Sequence, residues 1–200
     1  MDHAWLIFCV LLLIASACGL YFRFSDNKKI KSIIENQEGF TPRHIYIGRR
    51  GLVTVAIAID GERHKVCIVN VGLDVKANSI IKIYSFNDIL SCEVFEDDFS
   101  VTKTVRSSQA LGMAVGGLAF GGVGAVIGGL SGAQKTAGNV RKIDLRIVVN
   151  DINQPTYDIP FLSIETKKGG IVHGDASEKA RFWAGLLSIA IKQADQACNA

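Results

Sequence analysis

The sequence has no closely spaced pair of cysteines. Its five, Cys9, Cys18, Cys67, Cys92 and Cys198, are scattered and odd in number, with two inside the N-terminal apolar run. That pattern argues against a zinc site of paired ligands and against a disulfide framework, and fits a reducing compartment. Charge of one sign is also scarce: 22 Lys and Arg against 19 Asp and Glu leave a net charge of only +3. A nucleic-acid binder concentrates basic residues on one face, so no nucleic acid is expected as a partner. Catalytic signatures are missing as well. There is no nucleophile elbow and no HExxH, and the four histidines, His3, His44, His64 and His173, are dispersed and read as surface residues. Glu96-Asp97-Asp98 reads as a solvated turn. No catalytic residue, metal or cofactor is nominated, and the chain is expected not to be an enzyme. An enzyme with an unrecognised site is kept as an alternative.

What the sequence has in quantity is apolar residues, 48% of the chain, too many for a disordered protein. Much of the excess sits in two runs. Ala4 to Phe22 is 19 residues without a charge, about 28 Å as a helix and enough to cross the hydrocarbon core. Trp5 and Tyr21 lie near its ends, as interfacial aromatics do. Arg23, Lys28, Lys29 and Lys31 follow it, whereas Asp2 and His3 precede it. The positive-inside bias therefore predicts a single-pass protein of an inner (cytoplasmic) membrane, N-terminus outside and the bulk of the chain cytoplasmic. Ala15-Ser16-Ala17-Cys18 is similar to a lipoprotein cleavage box but has Ala15 where leucine is usual, and apolar residues continue past Cys18. The expected division is an anchor over 1–25, a polar juxtamembrane stalk over 26–41 and a domain over 42–200, with 107–136 as a glycine-rich insertion.

From residue 43 onward apolar residues recur with a period of two. Strands are predicted over Arg43–Ile47, Leu52–Ile59, His64–Val69, Ile80–Tyr84, Ile89–Phe95, Phe99–Thr104, Lys142–Val149 and Thr156–Phe161. Asp60-Gly61 marks a two-residue hairpin, and Pro160 an edge strand or strand end. A helix then opens with Ser177 as its N-cap. Phe182/Trp183, Leu186/Leu187, Ala190/Ile191 and Ala194 form one broad apolar face.

That order, seven or eight antiparallel strands and then one amphipathic helix, resembles the pleckstrin-homology-like barrel, in which the last helix plugs an open end. Ile80-Ile81-Lys82-Ile83-Tyr84-Ser85-Phe86-Asn87-Asp88-Ile89-Leu90-Ser91-Cys92-Glu93-Val94 is similar to the strand-turn-strand of bacterial PH-like and GRAM-like domains. The resemblance covers roughly residues 42 to 196 and implies a mainly β fold with a C-terminal helix. It also implies basic phospholipid sites on early loops, which here would be Arg43, Arg49, Arg50, Arg63 and Lys65. Solvation of ordinary hairpin tips would place the same residues there.

The second apolar run, Ala110 to Ala133, holds nine glycines in 24 residues and no charge. Gly129 to Thr136 approaches a phosphate loop, but Gln134 stands where the second glycine is required. A single crossing would put strands of one domain on both sides of a bilayer. A helical hairpin satisfies both constraints. Gly112/Gly116, Gly117/Gly121 and Gly124/Gly128/Gly132 recur every four residues, a spacing that lets another backbone approach. Its partner is expected to be lipid or a second copy of the chain, with a loose loop as the plain alternative. The expected function is a membrane-anchored binding or scaffold protein, self-associating or dipping into the membrane, with an acidic phospholipid or a protein as partner. A lesion- or channel-forming protein is the alternative.

Overall fold

The computed structural model describes residues 7–10, 12, 25–71, 79–97, 99–106 and 138–198. Among the described residues ten strands and a long C-terminal helix follow in chain order, eight of the strands near the predicted positions and the short β7 and β10 unforeseen: β1 His44–Arg50, β2 Val53–Asp60, β3 Lys65–Val71, β4 Ser79–Ser85, β5 Ile89–Glu96, β6 Phe99–Val105, β7 Asn139–Val140, β8 Ile143–Val149, β9 Thr156–Leu162 and β10 Thr166–Lys167, then Ile171–Cys198. A 3-10 turn, Phe86–Asp88, separates β4 from β5. Ser85 caps it by accepting from Asn87 N–H while Asp88 accepts from Ser85 N–H.

The strands form two four-stranded antiparallel sheets, β1-β2-β3-β4 and β6-β5-β8-β9, plus the small β10-β7 ladder. Among the described residues they do not close into one hydrogen-bonded barrel, which corrects the sequence reading. At the β1/β9 seam Pro160 has no N–H to offer. The two edges meet instead by contact: a Cβ on Gly48 would lie 2.2 Å from the Pro160 carbonyl oxygen. Tyr46 closes the seam, donating its hydroxyl to Pro160 O at 3.1 Å and stacking on Phe161 with ring centroids 4.1 Å apart. Pro160 does mark an edge strand, as its residue type predicted.

Alternation along β2 explains the layering. Val55, Ile57 and Ile59 enter the main core with Val66, Ile68, Leu145 and Ile147, under Trp183, Leu187 and Ile191 of the C-terminal helix. Each such side chain contributes about 1.5–3 kcal/mol on burial. The intervening Ala56 and Ala58 face the other way, onto Ile30 and Ile34 of a helix over 25–35. Small residues there let the helix approach, so the segment expected as a stalk lies against the first sheet, with both isoleucines fully buried.

Three local readings are corrected. The β2–β3 turn runs over four residues, 61–64, because the carboxylate of Asp60 accepts from the N–H of Glu62 and of Arg63, and His64 takes the left-handed conformation at φ 54°. The C-terminal helix starts at Ile171, so Ser177 is a buried residue inside it and not its cap. Phe182 falls outside the packed face and is half-exposed.

Two chain ends of the insertion are visible. β6 and β8 both run antiparallel to β5 and flank it, so they are parallel to each other. Parallel neighbours need a long connection. β6 finishes beside Leu90, whose carbonyl accepts from Arg106 N–H at 3.0 Å, whereas residues 141 and 142 bond Asp97 in the β5–β6 turn. The two ends are thus about 23 Å of strand apart.

Candidate functional site

The five basic residues nominated from the sequence divide between the two ends of the first sheet. Arg43, Arg63 and Lys65 gather around the β2–β3 turn. Arg63 Nη1 donates to Thr41 Oγ1 at 2.8 Å and lies 3.3 Å from Asp60 Oδ2, Lys65 Nζ donates to Gly39 O at 3.0 Å, and Arg43 pairs with Glu62 at 2.6 Å. Asp60 organises this end. It is 1% exposed and also accepts from Thr41 N–H at 2.7 Å. Burial opposes its ionisation, but the N–H donors of Thr41 and Arg63 and the Arg63 guanidinium outweigh burial and hold its pKa below the ordinary value.

Arg49 and Arg50 sit at the opposite end, on the β1–β2 tip. Gly51 there adopts φ +57°, so a two-residue turn joins Arg50 to Val53. Leu52 and Val53 on that tip are 76% and 57% exposed. Arg49 Nη2 donates to Asn27 Oδ1 at 2.6 Å, which brings the start of the 25–35 helix to the same end. Arg50 pairs with Asp144, a carboxylate only 2% exposed that also has the Lys142 ammonium 3.3 Å away. Arg50 therefore ties the first sheet to the second.

The outward face of the second sheet is ionic. Lys103, Glu93, Arg146 and Asp158 lie in register across β6, β5, β8 and β9. Lys103 is 3.4 Å from Glu93, and Arg146 grips Asp158 with two bonds of 2.7 and 2.9 Å while its guanidinium covers the Phe95 ring. The Arg146 hydrogen bonds hold the Asp158 carboxyl below its usual range.

Residues 44–163, more than half of the chain, match the family described as glycine zipper containing PH domain. The chain belongs to that family. Two relatives are similar to this glycine-zipper PH protein. The Immunity protein of Bacillus phage SPbeta is 28% identical over an alignment of 143 residues, which covers 60% of this chain and 69% of the phage protein. An SPbeta prophage-derived uncharacterized membrane protein, YomJ, of Bacillus subtilis strain 168 is also 28% identical over 143 residues, covering 60% of this chain and 61% of its own length. The chain thus spans less than two thirds of that membrane protein. No solved structure matches.

Other nominated features of this glycine-zipper PH protein fall elsewhere. Gly112, Gly116, Gly117, Gly121, Gly124, Gly128 and Gly132 lie outside the described residues, as does most of the 4–22 run, of which 7–10 and 12 are helical. Among the described residues no helix is long and apolar enough to cross a membrane, and no group of three or more metal ligands occurs. His173 is a correction: it is buried, not a surface residue. Its Nδ1 accepts from Gly169 N–H at 3.3 Å, so Nε2 carries the proton toward Glu96, 3.1 Å away. Glu96 also holds Lys168 at 2.6 Å. Sequence reasoning missed the exposed Leu52 and Val53, which alternation alone assigns to a strand. It also missed Asp144, which sits on the polar side of the β8 alternation and is buried where Arg50, 94 positions away, meets it beside Lys142.

Proposed function

We propose that this chain is a membrane-anchored, non-enzymatic binding protein whose PH-like domain works against the cytoplasmic face of a bilayer. The anchor is assigned to 1–25, the docked connecting segment to 26–41 and the PH-like domain to 42–200. Residues 107–136 are assigned as a helical hairpin that packs through Gly112, Gly116, Gly117, Gly121, Gly124, Gly128 and Gly132 against lipid or a second copy.

The observation that carries the reading is the β1–β2 tip. It presents Leu52 and Val53 between Arg49, Arg50 and residue 25, where the described helix begins, so an apolar wedge with basic shoulders stands at that end of the domain. Basic residues at such a surface contribute about 1 kcal/mol each on an anionic leaflet. The β2–β3 end, with Arg43, Arg63 and Lys65, is assigned to an acidic lipid headgroup or an acidic protein segment, through donors not consumed by Asp60 and Glu62. That one relative is named an immunity protein and the other a membrane protein supports a protective binding role at a membrane.

The test is extraction and protection of the full chain in membranes. The expected result is a protein that resists high salt and alkaline carbonate, with its domain accessible to protease only from the cytoplasmic side. Recovery in the soluble fraction would overturn the reading. Gly124→Leu, Gly128→Leu and Gly132→Leu together are expected to reduce self-association or detergent-resistant membrane retention. No change in either would remove the hairpin from it.

A further inference from the structure

We propose that the outward face of the C-terminal helix lies flat on an anionic bilayer surface, so that the PH-like domain rests on its side. The inference rests on the membrane reading above and adds the face and the orientation.

The ends of the insertion bracket this helix. At its last turns, Asp195 accepts from Arg106 Nε at 2.8 Å, and Arg106 is the residue at which the chain departs. At its other end, Lys168 N–H donates to Gly138 O at 3.1 Å and Thr166 pairs with Val140, where the chain returns. The 31 residues 107–137, which contain the apolar run Ala110 to Ala133, therefore leave the domain at one end of the helix and return at the other. If both ends of that segment meet the same leaflet, the helix between them is parallel to the membrane plane.

The face it would present suits that surface. Ile171, Phe182 and Ile189 fall on one line at spacings of 11 and 7 residues and are 93%, 52% and 55% exposed, with the open Gly185 between the last two. Lys179, Arg181 and Lys192 are exposed on the flanks, where long basic side chains reach phosphates while their stems cover apolar surface. Beside Phe182 a groove of about 410 Å³ opens toward the 25–35 helix and adds Lys31, Arg43 and His44. Acidic groups on the same side are Glu35, Glu62 paired with Arg43 at 2.6 Å, Asp175 paired with Lys179 at 2.7 Å, and Glu178, which lies on the same line between Ile171 and Phe182, four against the five Lys and Arg. The opposite side of the domain is the ionic ladder of the second sheet, unsuited to lipid.

The experiment uses the full chain with Cys9, Cys18 and Cys198 replaced by Ser, reconstituted in phosphatidylglycerol/phosphatidylcholine vesicles. A bimane probe is placed by Ile189→Cys or, on the ionic face, by Thr156→Cys. Brominated lipid is expected to quench the probe at 189 and leave the one at 156 unquenched. A vesicle-bound chain whose position 189 is quenched by aqueous iodide and not by bromolipid would overturn the proposal while leaving membrane association intact. Protection of position 189 from both quenchers would also overturn it, because protein, either the inserted segment or a second copy, would then cover the face. A chain that does not remain with the vesicles at all would overturn the reading on which the proposal rests.

Discussion

At the scale of the residue, buried charge is held by geometry that only hydrogen bonds can supply. Asp60 accepts from three backbone N–H groups and one guanidinium while almost fully enclosed. Asp60→Ala leaves those donors unmet and is expected to cost about 2–3 kcal/mol, read as a lower urea midpoint at unchanged slope. Asp60, Glu96 and Asp158 are all held below their ordinary pKa values in the fold. A carboxylate with a depressed native pKa adds stability above its unfolded pKa and loses it as pH falls through the native one. Stability is therefore expected to hold down to about pH 4–5 and to fall below that. Asp60→Asn should show a smaller acid loss, by thermal melts between pH 7 and 3. Burial also pushes the Cys67 thiol up to about 12 and the Cys92 thiol to about 11. Neither is expected to react with iodoacetamide at pH 7.5 in the native protein, and both should react in urea, by mass spectrometry of alkylated peptides.

At the scale of the element, the two sheets meet where a side chain is absent. Gly48→Ala would drive a Cβ into the Pro160 carbonyl, and β1 must separate from β9 to admit it. The expected cost is about 1–3 kcal/mol, read by denaturant unfolding, with loss of the Tyr46–Phe161 stack seen in near-ultraviolet circular dichroism. Leu187→Ala, beneath the C-terminal helix at full burial, is expected to cost about 2–5 kcal/mol in the same assay. The eight longer strands were legible because apolar residues recur along them with a period near two. The two-residue ladder of β7 and β10 was not, because two residues carry no period. Ser177 was misread as a cap because Ile171 to Gly174 contains little that favours a helix, and packing of Ala176, Ala180 and Trp183 on the sheets extends it toward the N-terminus.

At the scale of the molecule, the insertion and the final helix are joined at a buried ion pair. Arg106 bonds Asp195 and both the carbonyl and the side-chain oxygen of Asn87. Asp195→Ala leaves the Arg106 guanidinium with Asn87 alone, and the expected loss is about 1–3 kcal/mol. Hydrogen exchange should show that loss first in the last turns of the helix. The proposed side-on seating also belongs to this scale and rests on the described ends of the insertion, Arg106 beside Leu90 and residues 141 and 142 beside Asp97, which lie at opposite ends of β5.

The sequence by itself determined the order of the longer strands, the terminal helix and the two apolar runs, because each of these is written in residues close together in the chain. Only the tertiary structure decided which edges stay unjoined, which face of the helix is left outward, and that Arg50 serves Asp144 across 94 positions of sequence. It also decided that residues 25–35 lie on the first sheet and that the insertion's ends are far apart. These depend on register and strand order, which bring together groups whose separation in the chain leaves no local pattern to read.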